Sequence, residues 1–382
     1  MKILCAPDKF KGSLTAAQAA AAMARGIRRA RPDAQVELCP VADGGEGTVA
    51  AFLECFGPQA TRHTRVAGPR GEGVSALWAM FTDGQGRRTA VVETAAACGL
   101  ELLAPAQRDT MRTSTYGAGE LIAAALAEGA KTIVVGIGGS ATTDGGCGCA
   151  QALGVEFFDS QGRRIDEPLT GGLLGSIGRV SVEDRDARVG QAQILVACDV
   201  TNPLTGPHGA AYVYAPQKGA TPKQVIELDN GLRHLAELWR RQVGVEVEAL
   251  PGAGAAGGLG AGLVVFLGAT LRPGVAMILE TVGFAGRVPG CALCLTGEGR
   301  LDGQTASGKT VLGVAQAAKA CGVPTVALVG CLGEGAEHVR EQGLADWELI
   351  GPGLSVEESK RRAAELVEDT AARVVERWVH GG

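Results

Sequence analysis

The run Lys131-Thr-Ile-Val-Val-Gly-Ile-Gly-Gly-Ser-Ala-Thr-Thr-Asp-Gly-Gly146 leaves few architectures open to this chain. Ile133, Val134, Val135 and Ile137 make it apolar on both sides, the pattern of a strand covered on both faces, as in parallel sheets. It empties at once into a loop of glycines and hydroxyls. Glycines let backbone N–H groups come close to a ligand, Ser140, Thr142 and Thr143 add hydroxyls, and Asp144 could hold a cation.

The rest of the chain repeats that design. Residues 2–7 read as a strand, and a helix follows to about Arg31, with Ser13 or Thr15 as its N-cap. Gln35–Val41 reads as a second strand, followed by Ala42-Asp-Gly-Gly-Glu-Gly-Thr48 and a helix to about Cys55. From residue 60 to 92 the pattern changes to alternating segments with turn signals, which predicts antiparallel hairpins. Another buried strand, Gln193–Cys198, leads to Asp199-Val-Thr-Asn-Pro-Leu204, and an amphipathic helix is predicted over Pro222–Gln242. The final hundred residues return to β-α units, with strands at Ala292–Thr296, Pro324–Gly330 and Trp347–Gly351. Two such units at the start and three at the end give five strands. That count predicts a flavodoxin-like parallel sheet of order 2-1-3-4-5, interrupted by a second mixed α/β domain. The expected domains are 1–60 with 290–382, and 61–289. In that order the first and third strands are neighbours at the switch point, so the loops Asp8–Ser13 and Gly297–Lys309 face one crevice.

Composition narrows the function classes. A formal net charge of -5 and 4% aromatic residues argue against nucleic-acid binding, which favours basic faces and stacking platforms. No uninterrupted apolar run approaches a membrane span, and the apolar start is too short and too soon charged for a signal peptide. A cytoplasmic protein without a membrane partner is expected. The 11 cysteines are scattered along the chain and read as reduced core thiols. Cys291 and Cys294 would face opposite sides of a strand, so they could not share a zinc ion.

With 58 glycines, chance matches to glycine motifs are expected. Gly136-x-Gly138-x-x-Ala141 and Gly252-x-Gly254-x-x-Gly257 fit the dinucleotide fingerprint, and Gly303-Gln-Thr-Ala-Ser-Gly-Lys309-Thr310 fits the P-loop expression. Asp144 sits where the first would place a pyrophosphate. Pro251 and the lack of an acidic partner leave a tight helix start for the second. The third does not follow its strand directly, and the next strand lacks a terminal Asp for magnesium. What remains is a constellation at strand ends: Asp8, Lys9 and Lys11; Asp43 and Glu46; Ser140 and Asp144; Asp199 and Asn202; Glu298, Arg300 and Asp302. Solvated loops supply charges too, but five such loops suit phosphoryl transfer better. Carboxylates hold Mg²⁺, amides and ammonium groups hold phosphates, and one carboxylate accepts a hydroxyl proton.

Six ordered motifs, Ala6–Ser13, Ala42–Thr48, Gly136–Gly146, Asp199–Leu204, Pro216-Gln-Lys-Gly219 and Gly297–Thr305, resemble those of bacterial glycerate kinase of the 2-phosphoglycerate-forming type. The resemblance spans nearly the whole chain. It implies ATP-dependent, magnesium-assisted phosphorylation of D-glycerate to 2-phospho-D-glycerate, and a flavodoxin-like domain interrupted by a second α/β domain. Alternatives are phosphorylation at the 3-hydroxyl, a kinase or phosphatase for another small hydroxy acid, or a non-catalytic nucleotide- or metabolite-binding protein. Monomer and homodimer both stay open.

The residues themselves suggest roles, with the active site expected in the inter-domain cleft. Asp199 is the expected base, since it ends a buried strand, with Asn202 and Pro203 bracing its loop; Asp8 is next. Arg300 with Lys9 or Lys11 suits a substrate carboxylate, with Asn202 and Gln304 beside the substrate. Gly138, Gly139, Ser140, Thr142, Thr143, Gly308 and Lys309 are expected at ATP phosphates. Asp43, Glu46, Asp144, Glu298 and Asp302 are expected at Mg²⁺.

Overall fold

A computed structural model of the chain describes residues 1–301 and 310–380. They form two compact units, one of Met1–Asp43, Ala50–Gln59 and the described residues from Pro273 onward, the other of Gly44–Val49 and Ala60–Arg272.

In the first unit Lys2–Cys5 lies between Gln35–Leu38 and Cys291–Leu301, with Thr325–Leu332 and Asp346–Leu349 beyond the latter, all parallel. Both faces are covered. Val326 and Leu328 join a core built on the helices Ala16–Ala30 and Ala363–His380, while Ala327 and Val329 join the core under Thr310–Ala320, as a two-residue period requires. Thr15, not Ser13, caps the first helix, in a capping box with Gln18. The Cys291 strand runs further than its sequence suggests. Gly297, Glu298 and Arg300, expected in a loop, continue the ladder against Leu328, Val329 and Cys331.

Small residues bring the two helices on one face together. A Cβ on Gly26 would lie 2.1 Å from the Glu368 carbonyl oxygen, so the helices pack backbone to backbone there. Gly26→Ala gains about 1 kcal/mol of helix propensity and loses about 1–3 kcal/mol to overpacking. A net loss of stability in urea unfolding is expected; an unchanged or higher midpoint would show that the helices part freely.

In the second unit Thr132–Gly136 is central, parallel to Arg88–Glu93 on one side and Gln193–Ala197 on the other, with Thr270–Arg272 beyond. Thr61–Ala67 and Gly73–Thr82 complete the six strands as an antiparallel hairpin. The helix Pro222–Gln242 starts at a Thr221–Gln224 capping box and buries Val225, Leu228, Leu232, Leu235 and Trp239, a single stripe at helical spacing. Trp239 and Phe157 both meet Phe266 edge-on, at 5.6 and 5.7 Å.

The unit limits differ from the expected 290. Gly274–Thr281 belongs with the first unit, because a Cβ on Gly313 would lie 2.4 Å from Val275 Cγ1. Its apolar sequence resembles that of the core helix Leu259–Leu267 before it, which hides the change.

Candidate active site

In the first unit the loop after Lys2–Cys5 is held down by backbone bonds from Ala6 N–H to the Leu295 carbonyl at 2.7 Å and from Asp8 N–H to the Gly297 carbonyl at 2.9 Å. This fixes Asp8 at the sheet's carboxyl end, where it is 7% exposed. Its Oδ1 accepts from the Lys9 N–H and its Oδ2 from the Thr310 hydroxyl, both at 2.6 Å. Burial, then the charge of Asp43, pushes its carboxyl up to about 6 against the weaker pull of the Thr310 and Lys9 contacts. Lys9 and Asp43 are half-buried and Lys11 is exposed. Glu298 and Arg300, two apart on one strand, share a face, Glu298 half-buried and Arg300 exposed. Asp302, Gln304, Gly308 and Lys309 lie outside the described residues.

In the second unit the loop after Thr132–Gly136 is pinned from several sides. Leu100 N–H bonds to the Gly139 carbonyl and Ala141 N–H to the Cys98 carbonyl, both at 2.8 Å. Gly138 and Gly139 are exposed, while Ser140 is 5% exposed. Thr142 and Thr143 are fully buried, and the Thr143 hydroxyl accepts from Thr110 at 2.7 Å. The glycines that mimic a dinucleotide fingerprint have packing reasons instead. A Cβ on Gly136 would lie 2.6 Å from the Gly44 carbonyl oxygen and one on Gly138 3.0 Å from Gly45 Cα. The second match is similar: a Cβ on Gly254 would lie 2.2 Å from the Pro203 carbonyl oxygen and one on Gly257 2.0 Å from that of Thr142.

Asp144 is fully buried and accepts from the Thr115 N–H (2.8 Å), the Thr115 hydroxyl (2.7 Å), Gly146 N–H (3.2 Å) and Gly148 N–H (3.3 Å). Burial raises its carboxyl above the usual range despite these bonds. Expected at a metal, it has four donors from within the protein on its oxygens. Asp199, expected at the end of a buried strand, is exposed and lies two residues past the end of Gln193–Ala197. Asn202 braces its own loop, its amide donating to the His208 carbonyl at 2.8 Å and accepting from the Tyr214 hydroxyl at 2.6 Å. Glu46 is exposed. Among the described residues no group of three or more His, Cys, Asp or Glu side chains could hold a metal.

Lys218 lies in the Pro216–Gly219 motif, which by itself does not mark the lysine as a site residue. It is 3% exposed, and its Nζ donates to Ser140 Oγ at 2.9 Å and to the Thr142 carbonyl at 2.6 Å.

Both units are thus α/β sheets whose strand ends gather a shielded carboxylate, hydroxyls and ammonium groups, the equipment of a protein that handles small polar anions. From residue 3 to 379 the sequence matches the model of the glycerate kinase family. It is 46% identical over 379 residues to a glycerate kinase of Halalkalibacterium halodurans, covering 98% of each chain. It is 45% identical over 344 residues to glycerate 2-kinase of Escherichia coli K12, covering 90% of this chain and 89% of that one. The crystal structure of a protein described as glycerate kinase 2 from Salmonella typhimurium LT2 matches with a TM-score of 0.88 at 41% identity, over 100% of this chain and 99% of the other. The chain belongs to the glycerate kinase family. No helix among the described residues is long and apolar enough to cross a membrane.

Proposed function

We propose that this chain transfers the terminal phosphoryl group of ATP to the 2-hydroxyl of D-glycerate, with Asp8 as the base that receives the hydroxyl proton. What carries the reading is a family match that runs through every loop bearing the candidate residues. Within that family frame Asp8 replaces Asp199 as the preferred base. A carboxylate held by two short hydrogen bonds and raised to about 6 keeps a fixed lone pair near working pH, whereas the carboxylate of Asp199 is open to solvent. The hydroxyl oxygen then attacks the γ-phosphorus, the bond to the ADP oxygen breaks, and the proton rests on Asp8. Arg300, with Lys9 and Lys11, pairs with the glycerate carboxylate, a planar fork on a planar anion. The Gly138–Ser140 turn receives phosphate.

The described residues form no protein-only metal cage. Mg²⁺ bound chiefly through nucleotide phosphates and water needs only one or two carboxylates. Asp43 and Glu298 suit that demand, and the ion would neutralise phosphate charge. We also read the parallel order of the first unit as the flavodoxin-like one.

ATP consumption measured with D-glycerate, lactate, tartronate and glycolate tests the function, and phosphorus NMR of the product distinguishes the 2- from the 3-phosphate. Turnover with D-glycerate, abolished by excess chelator and restored by Mg²⁺, is expected. No glycerate-dependent turnover would refute the activity, and full turnover in chelator would refute the metal.

A further inference from the structure

Lys218 is a buried ammonium without an ion pair among the described residues; it holds only a serine hydroxyl and a backbone carbonyl. The fold drives it inward. Lys218 closes a single helical turn, Pro216–Lys218, and Gly219 follows at φ +93, where a Cβ would also lie 2.2 Å from the Arg108 carbonyl oxygen. Burying an ammonium this way has a penalty of several kcal/mol, and the burial lowers its pKa to about 8, with Cys98 and Asp144 nearby pulling the other way. Asp144 does not cancel the charge by contact, since its oxygens serve Thr115, Gly146 and Gly148. Two of the three ammonium N–H groups are used. Ser140 Oγ accepts from Lys218, so its own proton points elsewhere, and no acceptor for it occurs among the described residues. The hydroxyl lies next to the exposed Gly138–Gly139 turn.

We propose that Lys218 and Ser140 form one anion-binding unit, in which the buried ammonium lends its charge through the Ser140 hydroxyl to an oxyanion of a bound substrate. The oxyanion is the carboxylate of glycerate or a phosphoryl group of ATP. The inference rests on the reading that the Gly138–Ser140 turn meets substrate, and it makes Lys218 a positioning residue that acts through Ser140.

The test uses Lys218→Met, Lys218→Arg and Ser140→Ala in the full chain. If the ammonium is there for an anion, removing a buried charge leaves the ligand-free melting temperature of Lys218→Met unchanged or raised, as happens when buried ions give way to apolar side chains of similar volume. Thermal shifts with D-glycerate, ATP or inorganic phosphate as probes then fall, and kcat/KM drops about 10- to 100-fold, the scale of one charge-assisted hydrogen bond. Lys218→Arg recovers part of the loss and Ser140→Ala reproduces it. A rise in KM for D-glycerate alone assigns the carboxylate; a fall in kcat or a rise in KM for ATP alone assigns the phosphoryl group. Normal ligand shifts and kinetics in Lys218→Met would overturn the proposal while leaving the kinase intact. So would loss of the fold, or a ligand-free melting temperature several degrees lower, since Lys218 would then be a structural brace. Should wild type not phosphorylate glycerate at all, the kinase reading fails and the probe shifts still decide the anion unit.

Discussion

Asp8→Asn is expected to lower kcat by about 10²-fold or more, the scale of losing a positioned general base, while making the folded protein more stable at neutral pH. The second half follows from linkage. A carboxyl raised to about 6, against an ordinary 3.8, binds its proton more tightly folded than unfolded. Its ionisation therefore opposes folding: the penalty is absent below about pH 4, grows as pH rises towards 6, and is complete above it. The difference corresponds to about 3 kcal/mol, an upper bound on what the neutral amide gains, because Asn cannot accept from both Thr310 and the Lys9 amide as the carboxylate does. Urea unfolding of wild type and Asp8→Asn at pH 8 and at pH 4 should show a gap at the first and little at the second. A variant that turns over nearly normally would return the base to Asp199.

The sequence carried the backbone of this result and lost its side-chain detail for identifiable reasons. A strand apolar on both faces is visible in Ile133–Ile137 because periodicity is a local property, and the same holds for the amphipathic stripe of Pro222–Gln242, whose ends agree with the helix itself. Asp8 is a candidate in the sequence because it follows the first strand, but its burial is not visible there. Its carboxylate accepts from Thr310, 302 residues away. Lys218 is the clearest omission. A lysine after Pro-Gln reads as a solvated turn, and its partners, Ser140 and the Thr142 carbonyl, are more than 70 residues away. The usable signal was Gly219 itself, a glycine placed just after a short helical turn. The glycine fingerprints, set aside from sequence as chance matches, have a packing reason, since close backbone approach at Gly136 and Gly257 needs the same residue as a phosphate loop does.

Asp144 puts the largest stability change at stake. A carboxylate among glycines and threonines resembles a metal ligand, yet here it gathers Thr115, 29 residues earlier, with the first turn of the helix Cys147–Ala152. The Thr115 hydroxyl donates to Asp144 and accepts from Cys149 N–H at 2.9 Å, so one carboxylate organises both segments. Asp144→Ala strands the amides of Thr115, Gly146 and Gly148 in a dry interior, at about 1–3 kcal/mol for each group left unsatisfied. The methyl group also leaves a cavity. Even with partial relaxation, a loss of about 3–5 kcal/mol is expected, the range for breaking a buried charged network by removing one member. Asp144→Asn keeps one acceptor oxygen and turns an NH₂ towards donors, so it should fall between Ala and wild type. Urea unfolding without nucleotide or metal measures this directly, and Mg²⁺ titration of activity in whichever variant stays folded measures the alternative. A ligand-free stability near that of wild type, together with a large rise in the Mg²⁺ concentration needed for turnover, would return Asp144 to the metal; a collapse in stability with unchanged metal demand in Asp144→Asn would keep it as the tie between the two segments.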